Sequence, residues 1–319
     1  MKALYLQNGK IFFLEDTAIP EPREDEALIR VRLAGICGTD LELVKGYYPF
    51  TGIPGHEFVG EVVKASSEPS LTGRRVVGEI NCVCFSCSFC RQGLYSHCRE
   101  RTVAGIKGRQ GCFGQYLSLP VANLHPVPEN VSDEEAVFVE PLAAALRIQE
   151  QLRIRPSDKI LIVGSGRLGQ LIARTLVLIG CEISAVTRHK KQSDLLSDLS
   201  VFPLVESEVE KEWADIVVEA SGTVSGFSLA RRAVRPGGVI VLKTTCRDEC
   251  QLNLSSLVVD EISLIGSRCG PFPPALRLLA GKMVDPRPLI QQRFRLDEGE
   301  QAFARAARPG TLKVLLDPA

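Results

Sequence analysis

Apolar positions keep two different rhythms along this chain. From Met1 to about Pro141 they come in short runs, such as Ala27 to Leu33 and Gly60 to Lys64, broken by glycine and proline, with polar residues gathered between the runs. That pattern predicts short strands joined by loops, closing as a partly open β-barrel with helical excursions. From about Leu142 to Gly270, apolar strands alternate with amphipathic helices, the signature of βαβ units in a parallel sheet. The tail holds a helical stretch near Ala275 to Gly281 and a strand-like Thr311 to Leu316, and is expected to return to the first domain. The expectation is an α/β chain with domains over 1–141 and 142–270 and a C-terminal segment over 271–319. A length of 319 residues suits two domains.

The second region opens on its most readable unit. Lys159 to Val163 reads as a strand, Gly164-Ser165-Gly166-Arg167-Leu168-Gly169 as a turn, and Gln170 to Ile179 as a helix. A GxGxxG in that context fits a dinucleotide: the glycines allow a tight turn, close approach of a pyrophosphate and close helix–strand packing, and the helix N-terminus offers free N–H groups. The next strand, Glu182 to Val186, ends without the acidic residue that would read a ribose 2′-hydroxyl. Thr187-Arg188-His189-Lys190-Lys191 follows instead, a hydroxyl and cations suited to a 2′-phosphate, so NADP(H) is expected over NAD(H). Asp215 to Gly222 and Gly237 to Leu242 read as further strands whose carboxyl ends face the same edge.

Chemistry is concentrated in the first region. Cys84, Cys87, Cys90 and Cys98 follow CxxCxxCx7C, a spacing that delivers four thiolates to one tetrahedral zinc, a closed and therefore structural site in a lobe over about 82–98. Cys82 lies one residue outside that register, as a bystander or a substitute for Cys84. Eleven cysteines, an odd number, and an opening MKALYLQNGK without an apolar secretory core argue for free thiols in a reducing cytoplasm over a disulfide framework. Zero formal net charge and no basic, aromatic-interleaved stretch give no support for nucleic acid, and no apolar run is long enough to span a bilayer.

Taken together, Gly35-Ile-Cys37-Gly-Thr39-Asp40, Gly55-His56-Glu57-Phe-Val-Gly60-Glu61, the four-cysteine lobe, Glu140-Pro-Leu and the GxGxxG resemble the zinc-containing medium-chain dehydrogenase/reductases, in particular the sorbitol and threonine dehydrogenase branch. The resemblance covers nearly the whole chain and implies a GroES-like catalytic domain followed by a Rossmann doubly wound cofactor domain. It implies a second, catalytic zinc, with Cys37 and His56 as ligands and either Glu57 or Glu140 as the carboxylate, leaving a position for water or substrate oxygen. It also implies hydride transfer between an alcohol or polyol, or the corresponding carbonyl compound, and the nicotinamide cofactor. Thr39 matches the family's Ser/Thr proton-relay position. Where many members carry a relay histidine five residues beyond the zinc cysteine, this chain has Glu42, and Asp40 is expected to brace the loop or the imidazole. Tyr47, Tyr48, Phe50 and Arg268 are candidates for the substrate cleft. The resemblance further suggests a homodimer or homotetramer through Val239 to Leu242 and Ile262 to Ile265. His97, His125, Cys112, Cys181, Cys246, Cys250 and Cys269 are expected to be structural. Two alternatives differ in kind: a zinc-free quinone or enone reductase, which would not need the Cys37-His56-Glu57 set, and a non-catalytic NADP-binding redox sensor or scaffold.

Overall fold

The computed structural model describes residues 1–245 and 249–318; Cys246 lies outside the described residues. The chain divides into two compact units, Met1–Glu140 with Phe272–Ala319, and Pro141–Pro271. The architecture is the expected α/β combination of a strand-rich domain and a parallel-sheet domain.

The first unit is organised by the strand Glu26–Gly35, in which Ala27, Ile29, Val31 and Leu33 are buried while Arg30 and Arg32 face solvent. This is the period-two alternation of a half-buried strand. It pairs antiparallel with Glu57–Ala65, Tyr116–Pro120 and Lys313–Asp317, in a seven-stranded sheet completed by Arg75–Gly78, Leu124–Pro126 and Ile290–Arg295. Register shifts at Leu28/Ile29 and Val31/Leu33 bend the ladder, as a curling sheet requires. Gly60 is needed here, since a Cβ would sit 2.5 Å from Ile29 Cγ2 and 2.7 Å from the Arg30 carbonyl oxygen. The core gathers Leu4, Leu6, Ile29, Phe58, Phe113, Leu119, Phe303 and Val314. Phe113 and Phe303 meet edge to face at 5.9 Å.

Outside this sheet, Asp133 fastens two strands to a short helix, Asp133–Ala136. Its carboxylate accepts from Arg32 Nε at 2.7 Å and from Arg75 Nη1 at 2.8 Å. Burial pushes the Asp133 carboxyl up, but the two guanidinium groups outweigh it and hold it below its ordinary 3.8. A carboxyl lowered on folding stabilises the protein above its ordinary value, and that contribution fades as pH falls through the lowered one. Asp133→Asn is therefore expected to cost about 1 kcal/mol, or about 3 °C in Tm, at neutral pH. The gap from wild type should close as the pH falls below 3.8, which thermal melts across a pH series would read.

The second unit is a six-stranded, all-parallel sheet in the order Phe202–Leu204, Glu182–Val186, Lys159–Val163, Ala214–Glu219, Val234–Leu242, Ser263–Gly266. In sequence terms this is 3-2-1-4-5-6, the doubly wound order whose switch point falls between the first and fourth strands. Lys159–Val163 and Glu182–Val186 have the boundaries expected from sequence. The helix after the glycine turn begins earlier than expected, at Arg167, because Gly166 already serves as its N-cap; it runs to Leu176, and a 3₁₀ turn, Val177–Ile179, leads to left-handed Gly180. No helix among the described residues is long and apolar enough to cross a membrane.

Candidate active site and metal centres

Two groups of side chains among the described residues could hold a metal ion: Cys84, Cys87, Cys90 and Cys98, and Cys37, His56 and Glu57. In each, one donor atom per residue lies within 4.8 Å of all the others.

The first group is formed by a loop with only two short helical turns, Ser88–Arg91 and Tyr95–His97. Cys84 Sγ lies 3.5 Å from Cys98 Sγ and 4.0 Å from Cys90 Sγ, too far for disulfides and close enough for one shared cation. Backbone N–H groups already point at sulfur: Cys87 N–H donates to Cys84 Sγ at 3.3 Å and Cys84 N–H to Cys98 Sγ at 3.5 Å. Hydrogen bonds from Ser86 bring the Cys84 thiol down to about 6, while burial pushes Cys90 up to about 12. Cys82 is buried in a separate strand, Asn81–Cys82, and is not part of the group.

The second group assembles where two strands of the sheet end and begin. Glu26–Gly35 delivers Cys37, which occupies the N-cap of the helix Gly38–Val44; there Asp40 turns back and accepts the Cys37 N–H at 2.8 Å. His56 and Glu57 stand at the start of the partner strand, after Gly55. That glycine has φ +95°, and a Cβ on it would lie 2.4 Å from the Phe113 ring. His56, Glu57 and Asp40 are all buried. His56 Nδ1 lies 3.3 Å from Asp40 Oδ1, just outside hydrogen-bond geometry, so both atoms are buried without a hydrogen-bond partner. Burial disfavours the His56 cation, but the Asp40 carboxylate and then Cys37 more than offset it, and its pKa is raised well above the ordinary value. Thr39 Oγ1 lies 3.8 Å from Cys37 Sγ.

Glu140 is half-buried near the start of the helix Val139–Gln151, outside the three-residue group. Glu42 is 2.7 Å from Lys45 Nζ on the exposed side of its helix. Tyr48 and Phe50 lean on the core and Tyr47 is 41 % exposed. In the second unit, Arg268 is exposed and its carbonyl accepts from the buried Lys243 Nζ at 2.8 Å.

Sequence reasoning missed two residues. Lys313 is 2 % exposed, with its Nζ bonded to Glu57 Oε2 and lying 5.4 Å from the Phe138 ring centroid. A cation between Leu312 and Val314 in an otherwise apolar strand was the available signal. Glu219 ends the fourth sheet strand and is also buried; it accepts from the Ser221 N–H at 2.7 Å, the Gly222 N–H at 3.1 Å and the Thr244 hydroxyl at 2.9 Å, fixing the loop beyond the strand.

At the glycine turn of the second unit, Gly164 has φ +102° and a Cβ there would lie 2.7 Å from the Ser221 backbone nitrogen, while one on Gly169 would lie 2.0 Å from the Gly164 carbonyl oxygen. Those two glycines are demanded by packing. A Cβ on Gly166, in contrast, would meet nothing within 4 Å, so this glycine leaves the helix N-terminus open to a ligand. Ser165 Oγ donates to the Val186 carbonyl at 2.6 Å, tying the turn to the end of the next strand. Beyond it, Thr187 is buried, and Arg188 and Lys190 are 72 % and 87 % exposed, with surface partners Glu206 at 3.8 Å and Asp194 at 2.8 Å.

Comparison with known proteins shows what this geometry is similar to. Residues 23–129 match the alcohol dehydrogenase GroES-like domain. A chain described as a zinc-binding dehydrogenase from Sinorhizobium meliloti 1021, bound to NADP, is 27 % identical with a TM-score of 0.92, covering 99 % of both chains. An alcohol dehydrogenase from Thermus sp. ATN1 is 29 % identical with a TM-score of 0.89, again over 99 % of both. A sorbitol dehydrogenase from Halalkalibacterium halodurans is 29 % identical over 100 % of this chain and 99 % of its own length. A glycine-turn parallel sheet, a GroES-like domain over residues 23–129 and dehydrogenase relatives matched end to end make the chain similar to the zinc-type medium-chain dehydrogenase/reductases, its relatives including sorbitol and alcohol dehydrogenases.

Proposed function

We propose that this alcohol or polyol dehydrogenase is zinc-dependent and exchanges a hydride between an alcohol or polyol, or the matching carbonyl compound, and NADP(H). The observation that carries this reading is the trio of half-buried Cys37 and buried His56 and Glu57, whose donor atoms lie within 4.8 Å of one another. One thiolate, one imidazole and one carboxylate suit a zinc with an open position. Glu57 also bonds Lys313, yet a carboxylate has about four acceptor sites and so retains capacity for a metal. Bound there, zinc would supply Lewis acidity to the substrate oxygen. Cys37 and His56 would hold the metal; Asp40 faces His56 Nδ1, which would leave Nε2 as the ring nitrogen for it. The Thr39 hydroxyl, beside Cys37 Sγ, takes the substrate proton outward. The N-terminus of the helix Arg167–Leu176 binds the cofactor pyrophosphate.

The four cysteines of the lobe hold a second, structural zinc. The three-donor trio, which a zinc-free reductase would not need, favours the metal enzyme over that alternative. Zinc content tests the reading: two per chain in wild type and one in Cys37→Ser supports it, and one in both turns the assignment toward a sensor or scaffold.

NADP(H) preference rests on Thr187, Arg188 and Lys190. Surface ion pairs such as Arg188 with Glu206 are weak, so the guanidinium is free to turn to a 2′-phosphate. A hydrogen bond to a charged group is worth about 1.5–3 kcal/mol. Arg188→Ser is accordingly expected to lower kcat/KM for NADP(H) by about 10- to 100-fold with little change for NAD(H). Equal loss with both cofactors would remove the residue from this role.

Of the two stretches expected at a subunit contact, Val239 to Leu242 is paired on both sides within its own sheet, so for assembly we read only the open edge strand Ser263–Gly266 as a subunit contact. Next to it in sequence, the helix Leu254–Val259 exposes Leu254, Val258 and Val259 at 67 %, 76 % and 79 %. A solution mass of at least two chains tests it. A reducing cytoplasm suits the many free thiols.

A further inference from the structure

We propose that Lys313 is a positioning residue for the metal site, acting through Glu57. This inference rests on the reading of Cys37, His56 and Glu57 as the catalytic zinc set.

The residue arrives from far along the chain. Its strand, Lys313–Asp317, pairs antiparallel with the carboxyl end of Glu26–Gly35, Leu315 against Gly35 and Leu316 against Ala34, and the Ile36 N–H donates to the Val314 carbonyl at 3.0 Å. Lys313 is thereby fixed beside the segment that leads into Cys37. Its side chain runs inward, and its ammonium binds Glu57 Oε2 over the Phe138 ring.

Gly35 is shaped to this pair. A Cβ there would lie 2.8 Å from Glu57 Oε2, 3.3 Å from Lys313 Cδ and 3.5 Å from Val137 Cγ2, so the backbone gives up a side chain where the two charged groups meet. A buried ion pair is poor evidence of stability, because desolvation consumes most of the Coulombic gain. One that sits against a metal-ligating carboxylate acts differently. The ammonium holds one edge of the Glu57 carboxylate in place and so limits the orientations from which the group reaches Cys37 and His56. Partners of this kind typically set metal affinity by about 10- to 100-fold.

The test compares Lys313→Met, which keeps length and loses charge, with Lys313→Arg, Glu57→Gln and the double variant Glu57→Gln/Lys313→Met. The readouts are zinc affinity by chelator competition and the ligand-field spectrum of cobalt(II) at the Cys37 site, resolved by its absence in Cys37→Ser. Lys313→Met should bind metal about 10- to 100-fold more weakly, with an altered cobalt band and the lobe zinc retained. Lys313→Arg should recover most of the loss. In the Glu57→Gln background the Lys313 substitution should add nothing, because its route runs through that carboxylate. Should Lys313→Met fail to fold, the neutral double variant compared with Glu57→Gln alone still decides the matter: a further loss of metal affinity there would overturn the proposal. Unchanged affinity and cobalt spectrum in folded Lys313→Met would overturn it equally. If wild type binds no metal that Cys37→Ser loses, the catalytic-zinc reading fails and this proposal with it, an outcome distinct from a wild-type site indifferent to Lys313.

Discussion

Cys37→Ser is expected to lower kcat by about 10³-fold with either cofactor while leaving the fold intact. The position makes this a clean substitution. Cys37 is the N-cap of the helix Gly38–Val44, and Asp40 holds its N–H at 2.8 Å. Serine is a preferred N-cap residue, so the helix start survives the change. What is lost is the thiolate: a serine hydroxyl stays protonated at working pH and gives zinc little to hold. Lewis-acid stabilisation of a developing alkoxide is worth several kcal/mol, and about 4 kcal/mol corresponds to about 10³ in rate. Steady-state kinetics, zinc content and a thermal melt on one preparation would separate the possibilities. Near-wild-type turnover together with a normal melt would remove Cys37 from the catalytic centre.

Much of this was legible before any coordinates. Most of the parallel sheet could be read because its strands are short apolar runs alternating with helices, and because GxGxxG marks where strand becomes helix; Lys159–Val163 and Glu182–Val186 match to the residue, whereas the three-residue Phe202–Leu204 was not read. The family resemblance followed from motifs whose order is as informative as their content. Less visible was anything built by pairing distant segments. Thr311 to Leu316 reads as a strand, but nothing local says that Lys313–Asp317 lies against Glu26–Gly35, more than two hundred residues earlier in the chain. Lys313 was hidden for that reason, since a lysine in an apolar strand gains its meaning only from the carboxylate across the sheet. Glu219 was hidden differently: its strand was evident, but a carboxylate capturing loop N–H groups is a tertiary event that periodicity does not encode. Asp40 lay between these cases. It was expected to brace the loop or the imidazole; its place three residues after Cys37 is a local capping relation, and the structure shows it also facing His56 Nδ1.

Removing a lobe cysteine should produce the largest loss of stability. Cys98 is the most exacting choice: it is buried, its Sγ lies 3.5 Å from Cys84 Sγ, and it accepts the Cys84 N–H. Little else organises this loop. Its helical turns are four and three residues long, and Phe85, Leu94 and Tyr95 are among the large apolar side chains left exposed. A segment with so small a core would depend on the zinc proposed for it, and structural zinc supplies about 10–16 kcal/mol of apparent binding free energy in isolated zinc-finger peptides. Only the lobe's share of that reaches the whole protein. A global cost of about 3–5 kcal/mol, or about 10 °C in Tm, is the reasonable expectation for Cys98→Ser. Zinc should fall by one per chain, with the Cys37 site still loaded, and proteolysis should begin inside 84–98. The freed thiols should then react unequally. Cys84, brought down to about 6 by Ser86, is a thiolate at neutral pH, whereas Cys90, pushed up to about 12 by burial, stays protonated. Alkylation of chelator-stripped wild type at pH 7 should therefore mark Cys84 before Cys90, and the contrast should shrink as the pH drops below about 6, where Cys84 also takes up its proton. A variant that keeps its full zinc content and its melting temperature would mean that Cys98 holds no metal.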